Sequence, residues 1–180
     1  MSDLLNEMEP LAQEMRKQVL AVYLKVACTV LAIYRTLLPC FEDKRALLEH
    51  IKAVIDLINF QGGMDAFLLD HFGISPEAPD EAWDRICTDY IRRSQERYGS
   101  GWVVEQGIKD ERRCFFNYRS CGFADFFLDN DAREVLYLFC ATDYIWGDAL
   151  EKYGIRFERP TTLSEGADAC RFQLFRMIRG

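Results

Sequence analysis

The stretch "GWVVEQGIKDERRCFFNYRS", residues 101–120, is where the chain changes its period. Before it, apolar residues recur at helical spacing. Within it, Trp102, Val103, Val104 and Ile108 form one β-branched and aromatic run, and Cys114, Phe115, Phe116 and Tyr118 form another. The polar triplet Lys109-Asp110-Glu111 separates them, so the pattern predicts a hairpin. Downstream, "IRFERP" (155–160) and "ACRFQLFRM" (169–177) predict two more strands, joined by a polar loop rich in Thr, Ser, Glu and Gly. Helices first, then hairpin, helix and hairpin, predict an α+β fold: an N-terminal helical bundle followed by a small antiparallel β-sheet with packed helices.

Upstream of the hairpin the reading is helical. Residues 1–38 predict one long or broken helix stopped at Pro39. In "EDKRALLEHIKAVIDLINF" (42–60), Leu47, Leu48, Ile51, Val54, Ile55 and Ile58 share one stripe, and Gly62–Gly63 ends it. A short apolar segment (64–74) follows. The next helix begins after Pro76 and Pro79, turns Trp83, Ile86, Cys87, Tyr90 and Ile91 inward, and stops at Gly99 and Gly101. After Cys121, "GFADFFL" predicts a short helix, and 131–150 a longer one. One domain over 1–180 is expected, with a helical half (1–98) and an α+β half (99–180).

A net charge of −7 over 180 residues, with a pI near 4.9, argues against a nucleic-acid phosphate backbone as partner. The longest apolar stretch, Val19–Leu38, contains Lys25 and, near its end, Arg35. It reads as the central helix of a bundle and not as a membrane span, and its apolar surface would serve a homodimer interface. Seven cysteines (28, 40, 87, 114, 121, 140 and 170) make an odd number without a Cys-x-x-Cys pair. With an N-terminus "MSDLLNEMEP" that lacks a basic n-region, they predict a cytoplasmic protein with free thiols.

The segment "DAREVLYLFCATDYIWGDAL" (131–150) carries the strongest chemical signal. Ala132, Leu136, Phe139, Trp146 and Leu150 form its apolar stripe, and Asp143 lies within that stripe. A carboxylate facing a core costs several kcal/mol unless it is paired or neutral. Asp143 is therefore either a structural acid satisfied by a neighbour or an acid lining a pocket. Cys140, three residues earlier, projects to nearly the same side and reads as packing when taken alone. Cys121 ends a strand and precedes a helix, where backbone N–H groups and the helix dipole favour a thiolate, so it is the nucleophile candidate. Arg119, two residues back, is expected on the same strand face. Cys170 follows a turn bearing Glu165 and Asp168, and reads either as strand packing or as one wall of a pocket. Cys28, Cys87 and Cys114 read as packing. A zinc site normally shows paired ligands at short spacing, and only Cys140 and Asp143 are so placed, so no metal is expected. No phosphate-binding glycine loop, HExxH or ordered Ser/His/Asp set is present, and no cofactor is expected.

From Tyr118-Arg119-Ser120-Cys121 onward, through "FADFF", "LFCATDY" and "IRFERPTTLSEGADACRF", the chain resembles the L-2-amino-thiazoline-4-carboxylic acid hydrolase family. The resemblance is strong over the last third and general over the helical half. It implies a hydrolase that opens a cyclic isothiourea to a carbamoyl-cysteine. On that resemblance Asp143 and Asp168 would hold the protonated, amidine-like centre, and Cys121 would attack it or shape the pocket. Arg119 or Arg159 would hold the substrate carboxylate. Cys140, Thr162 and Cys170 would complete the binding wall. The thirteen Phe and eight Tyr suit another function equally, a binding or sensor domain that holds a small molecule in an aromatic pocket without turning it over.

Overall fold

The computed structural model describes residues 2–177, with side chains described from residue 20 onward. Helix α1 (Ser2–Leu37) runs into a 3-10 turn at Leu38–Cys40, where proline ends it. Helix α2 (Lys44–Asn59) starts at Asp43, whose carboxylate accepts the Arg45 N–H at 2.8 Å. Helix α3 (Met64–Phe72) closes on Gly73, which takes the left-handed conformation at φ 70°. Helix α4 (Ala82–Tyr98) ends at Gly99 and leads into strands β1 (Trp102–Lys109) and β2 (Arg113–Cys121). Two further helices, α5 (Gly122–Asp129) and α6 (Arg133–Ala149), precede strands β3 (Ile155–Glu158) and β4 (Cys170–Arg176). The fold is α+β, as the change of period predicts.

The four strands form one antiparallel sheet in the order β1-β2-β4-β3. Alternate residues of its covered face are buried: Cys114, Phe116 and Tyr118 from β2, and Cys170, Phe172 and Leu174 from β4. They pack with α3, α4 and the end of α6 into one apolar cluster. A second cluster joins α1, α2, α5 and the start of α6 around Ala27, Leu31, Tyr34, Leu47, Phe127 and Leu136. Polar ties bind the second cluster at its edge. Tyr34 donates to Glu134 at 2.9 Å, Lys44 pairs with the same carboxylate at 2.6 Å, and Arg35 donates to the Asn130 carbonyl at 2.7 Å.

The first helix departs from the expected central position. Ala27, Leu31 and Tyr34 are buried at helical spacing, but Val22, Val26, Ile33 and Leu37 are exposed. The segment Leu20–Cys40 is long and apolar enough to cross a membrane, and 17% of it is buried. In the fold it is an outer wall. Likewise α2 buries Leu47, Ile51 and Ile55, while Val54 and Ile58 of its predicted stripe are largely exposed. Of the apolar residues left uncovered on the two helices, Val22, Val26, Ile33, Val54 and Ile58 line an opening into the molecule.

Candidate active site

That opening leads into a cavity of about 900 Å³ at the junction of the two clusters. Its inner end is polar and its outer part apolar. Helix α6 supplies Cys140, Thr142 and Asp143, the chain just past β3 supplies Arg159, the first residue of β4 is Cys170, and the last of β2 is Cys121. Aromatic rings from Tyr118, Phe123, Phe139, Trp146 and Phe172 close around this group. Asp143, Arg159, Cys121, Cys140 and Cys170 of the expected site therefore share one cavity.

Asp143 keeps 29% of its side-chain surface open, whereas Arg159 keeps 3%. The Arg159 Nη1 donates to Asp143 Oδ2, and the Trp146 indole N–H donates to Oδ1 at 3.1 Å. The guanidinium lies 4.5 Å from the centre of the Tyr144 ring and 5.8 Å from that of Phe172, which holds its plane in place. Burial pushes the Asp143 carboxyl up to about 6, against the pull of Arg159 and of the indole hydrogen bond. A carboxylate in that range is mostly ionised at neutral pH and still basic enough to take a proton. Two buried polar atoms on the same wall, Thr142 Oγ1 and Arg159 Nε, have no hydrogen-bond partner.

The three thiols around the pair are held protonated. Burial pushes Cys121 up to about 12, although the Ala124 and Phe123 N–H groups at the start of α5 pull the other way. Burial, with the negative charge of Asp143, pushes Cys140 up to about 11. Burial also raises Cys170, whose sulfur accepts the Leu163 N–H at 3.2 Å. The helix N-terminus expected to make Cys121 a thiolate is present, and desolvation outweighs it. His71 also reaches the cavity wall, stacked on Phe67 at 3.7 Å, and burial drives its imidazole down to about 4.

Three expected site residues lie elsewhere. Arg119 faces the opposite side of the sheet from Cys121, because β2 carries an extra residue there: Val103 pairs with Ser120 and Val104 with Tyr118. The bulge shifts the phase of the strand, so residues two apart no longer share a face. Arg119 instead pairs with Glu105 at 2.8 Å and with Asp168 at 2.9 Å. Asp168 also pairs with Arg171 at 2.8 Å, and this exposed network contributes nothing to the cavity wall. Thr162 is buried behind the wall, where it shares hydrogen bonds of 2.8 Å with Ser164 and with Glu165 and so knots the loop that carries Arg159. Two participants escape sequence reading. Thr142 is a neutral polar residue beside a charged one, and the α1 and α2 side chains of the cavity carry an ordinary core pattern. Among the described residues no group of three or more His, Cys, Asp or Glu is arranged to hold a metal ion.

No curated protein matches the chain. A crystal structure of a trafficking protein particle complex subunit 3 from Naegleria fowleri, covalently bound to palmitic acid, aligns with 86% of this chain and 96% of its own. The identity is 16% and the TM-score 0.45, too distant a likeness to bear on function. The family model of L-2-amino-thiazoline-4-carboxylic acid hydrolase matches residues 71–174, which carry every residue of the polar end of the cavity. The match spans more than half of the sequence, and the chain belongs to the L-2-amino-thiazoline-4-carboxylic acid hydrolase family.

Proposed function

We propose that the protein hydrolyses a small cyclic amidine or isothiourea, such as L-2-amino-thiazoline-4-carboxylate, to a carbamoyl-cysteine, with Asp143 as general base. The observation that carries this reading is a carboxylate at about 6, open to a cavity and fixed by a buried arginine and an indole N–H. Asp143 takes a proton from a water as its oxygen attacks the electrophilic ring carbon between nitrogen and sulfur. The new C–O bond forms, the C–S bond breaks as the carbonyl forms, the proton held by Asp143 goes to the departing sulfur, and the proton left on the oxygen goes to the ring nitrogen. The product keeps the carbamoyl group on nitrogen and gains a free thiol. Arg159 keeps Asp143 ionised and aimed, and in this reading its guanidinium, which lines the cavity, also holds the substrate carboxylate.

The position of Cys121 at the cavity wall supports a shaping role, since a thiol at about 12 is a weak nucleophile at neutral pH. The two chemistries separate in one assay. Turnover of L-2-amino-thiazoline-4-carboxylate should fall at least a hundredfold in Asp143→Asn and less than tenfold in Cys121→Ala. An inactive Cys121→Ala that is folded, beside an active Asp143→Asn, would invert the assignment.

A further inference from the structure

A single small ring acid fills only part of this cavity. Its volume of about 900 Å³ lies near the top of the range of about 300–1,000 Å³ usual for ligand pockets. The space beyond the Asp143–Arg159 end is walled by aliphatic residues of two helices: Val22, Val26 and Ile33 from α1, and Ile51, Val54 and Ile58 from α2. On each helix they follow one another at three- to seven-residue steps, so each set forms a strip along the helix axis. From Val22 to Ile33 such a strip runs about 16 Å at 1.5 Å per residue. Most of the strip is open to solvent: Val22 is 59% exposed, Val26 and Ile33 46%, Val54 56% and Ile58 62%. Apolar surface left uncovered beside a cavity marks a binding groove more often than chance exposure does. At its inner end stand Thr142, Asp143 and Arg159, of which Asp143 keeps 29% of its side-chain surface open.

These observations define a ligand with two parts. We infer that the cavity takes an amphipathic molecule: a compact amide- or amidine-type head on Thr142, Asp143 and Arg159, and a single extended apolar chain lying between α1 and α2. The head rests on the hydrolase reading above; the tail rests on the channel alone. The residues matched by the family model begin at 71, so both tail-binding helices lie outside them. The reacting group is thus read by the family-shared region, and chain length is read by α1 and α2.

A neutral alkylamide series tests the tail without requiring turnover. Hexanamide, octanamide and decanamide present the same head and differ only in methylenes, and Trp102 and Trp146 in the cavity wall report binding by their fluorescence. Affinity should rise roughly three- to fourfold for each added methylene. Val26→Asp and Val54→Asp alter half-exposed positions that the fold does not need buried, and each should weaken decanamide at least tenfold while changing hexanamide less than threefold. Asp143→Asn should keep the chain-length dependence. Equal affinity for hexanamide and decanamide, or unchanged decanamide binding in both valine variants, would overturn the inference. Absence of wild-type turnover on the ring acid, with the chain-length dependence intact, would overturn the hydrolase reading and leave this one standing.

Discussion

Arg159 and Asp143 meet across the inner end of the cavity, one from the chain just past β3 and the other from the middle of α6, with Nη1 of the arginine donating to the carboxylate. The pair is unequal. Arg159 is buried against the rings of Tyr144 and Phe172, while Asp143 keeps part of its side chain open. A charge that is paired on one side and open on the other is available to a ligand, and four expectations follow from this asymmetry and its surroundings.

Stability should fall as pH rises through the Asp143 titration. Its carboxyl is raised in the folded state, so its contribution is full below the unfolded value of 3.8 and is lost as pH rises through about 6. At about 1.4 kcal/mol per unit, the loss is about 3 kcal/mol at most. Urea midpoints of wild type and Asp143→Asn at pH 4.5 and pH 7 isolate the effect. The variant should lack the part of the slope that the wild type shows between those values.

Replacing Arg159 with Met leaves Asp143 unpaired beside apolar rings. Breaking a buried pair costs about 3–5 kcal/mol in closed interiors, and access from the cavity lowers this to about 2–3 kcal/mol. The loss should shrink at pH 5, where the orphaned carboxyl takes up a proton. Equal destabilisation at pH 5 and pH 8 would show that the pair does not set the charge of Asp143.

Alkylation should follow exposure and not proximity to the site. Cys28 and Cys40 are exposed and should react with iodoacetamide at ordinary rates. Cys121, at about 12, should react roughly a thousandfold more slowly at neutral pH than a thiol at 8.5. Peptide mapping after timed labelling reads the difference directly.

Gly147 tests the packing that holds the pair. A Cβ there would clash with the Phe157 ring, and Phe157 lies 4.7 Å from the ring of Trp146, the indole that donates to Asp143. Alanine is worth about 1 kcal/mol over glycine inside a helix. Overpacking costs about 1–3 kcal/mol, so Gly147→Ala should be neutral to destabilising by about 2 kcal/mol and should lower turnover by displacing Trp146. A stabilised, fully active variant would show that Phe157 yields without moving the indole.

Much of this arrangement is legible in the order of residues. The switch of period at 101–120 marks the hairpin, and Asp143 stands out because charge interrupts an apolar stripe. Other features are hidden for physical reasons. The bulge at Arg119 depends on how β1 and β2 pair, and strand parity alone places Arg119 beside Cys121. Val22, Val26, Val54 and Ile58 carry a core-like pattern, because periodicity does not separate a face that meets another helix from one that meets a cavity. The thiol of Cys121 is governed by desolvation, which spacing along the chain does not report. Arg159 enters through resemblance alone, since its partner is sixteen residues away on another element.

The most direct test of the central claim is the pH dependence of kcat/KM for L-2-amino-thiazoline-4-carboxylate, measured for wild type and Cys121→Ala. A carboxylate base at about 6 predicts that kcat/KM rises through pH 6 and levels off above pH 7, with the same profile in both proteins. A wild-type rate that keeps rising into the alkaline range, with loss of activity in folded Cys121→Ala, would contradict it and make the thiolate the reacting group.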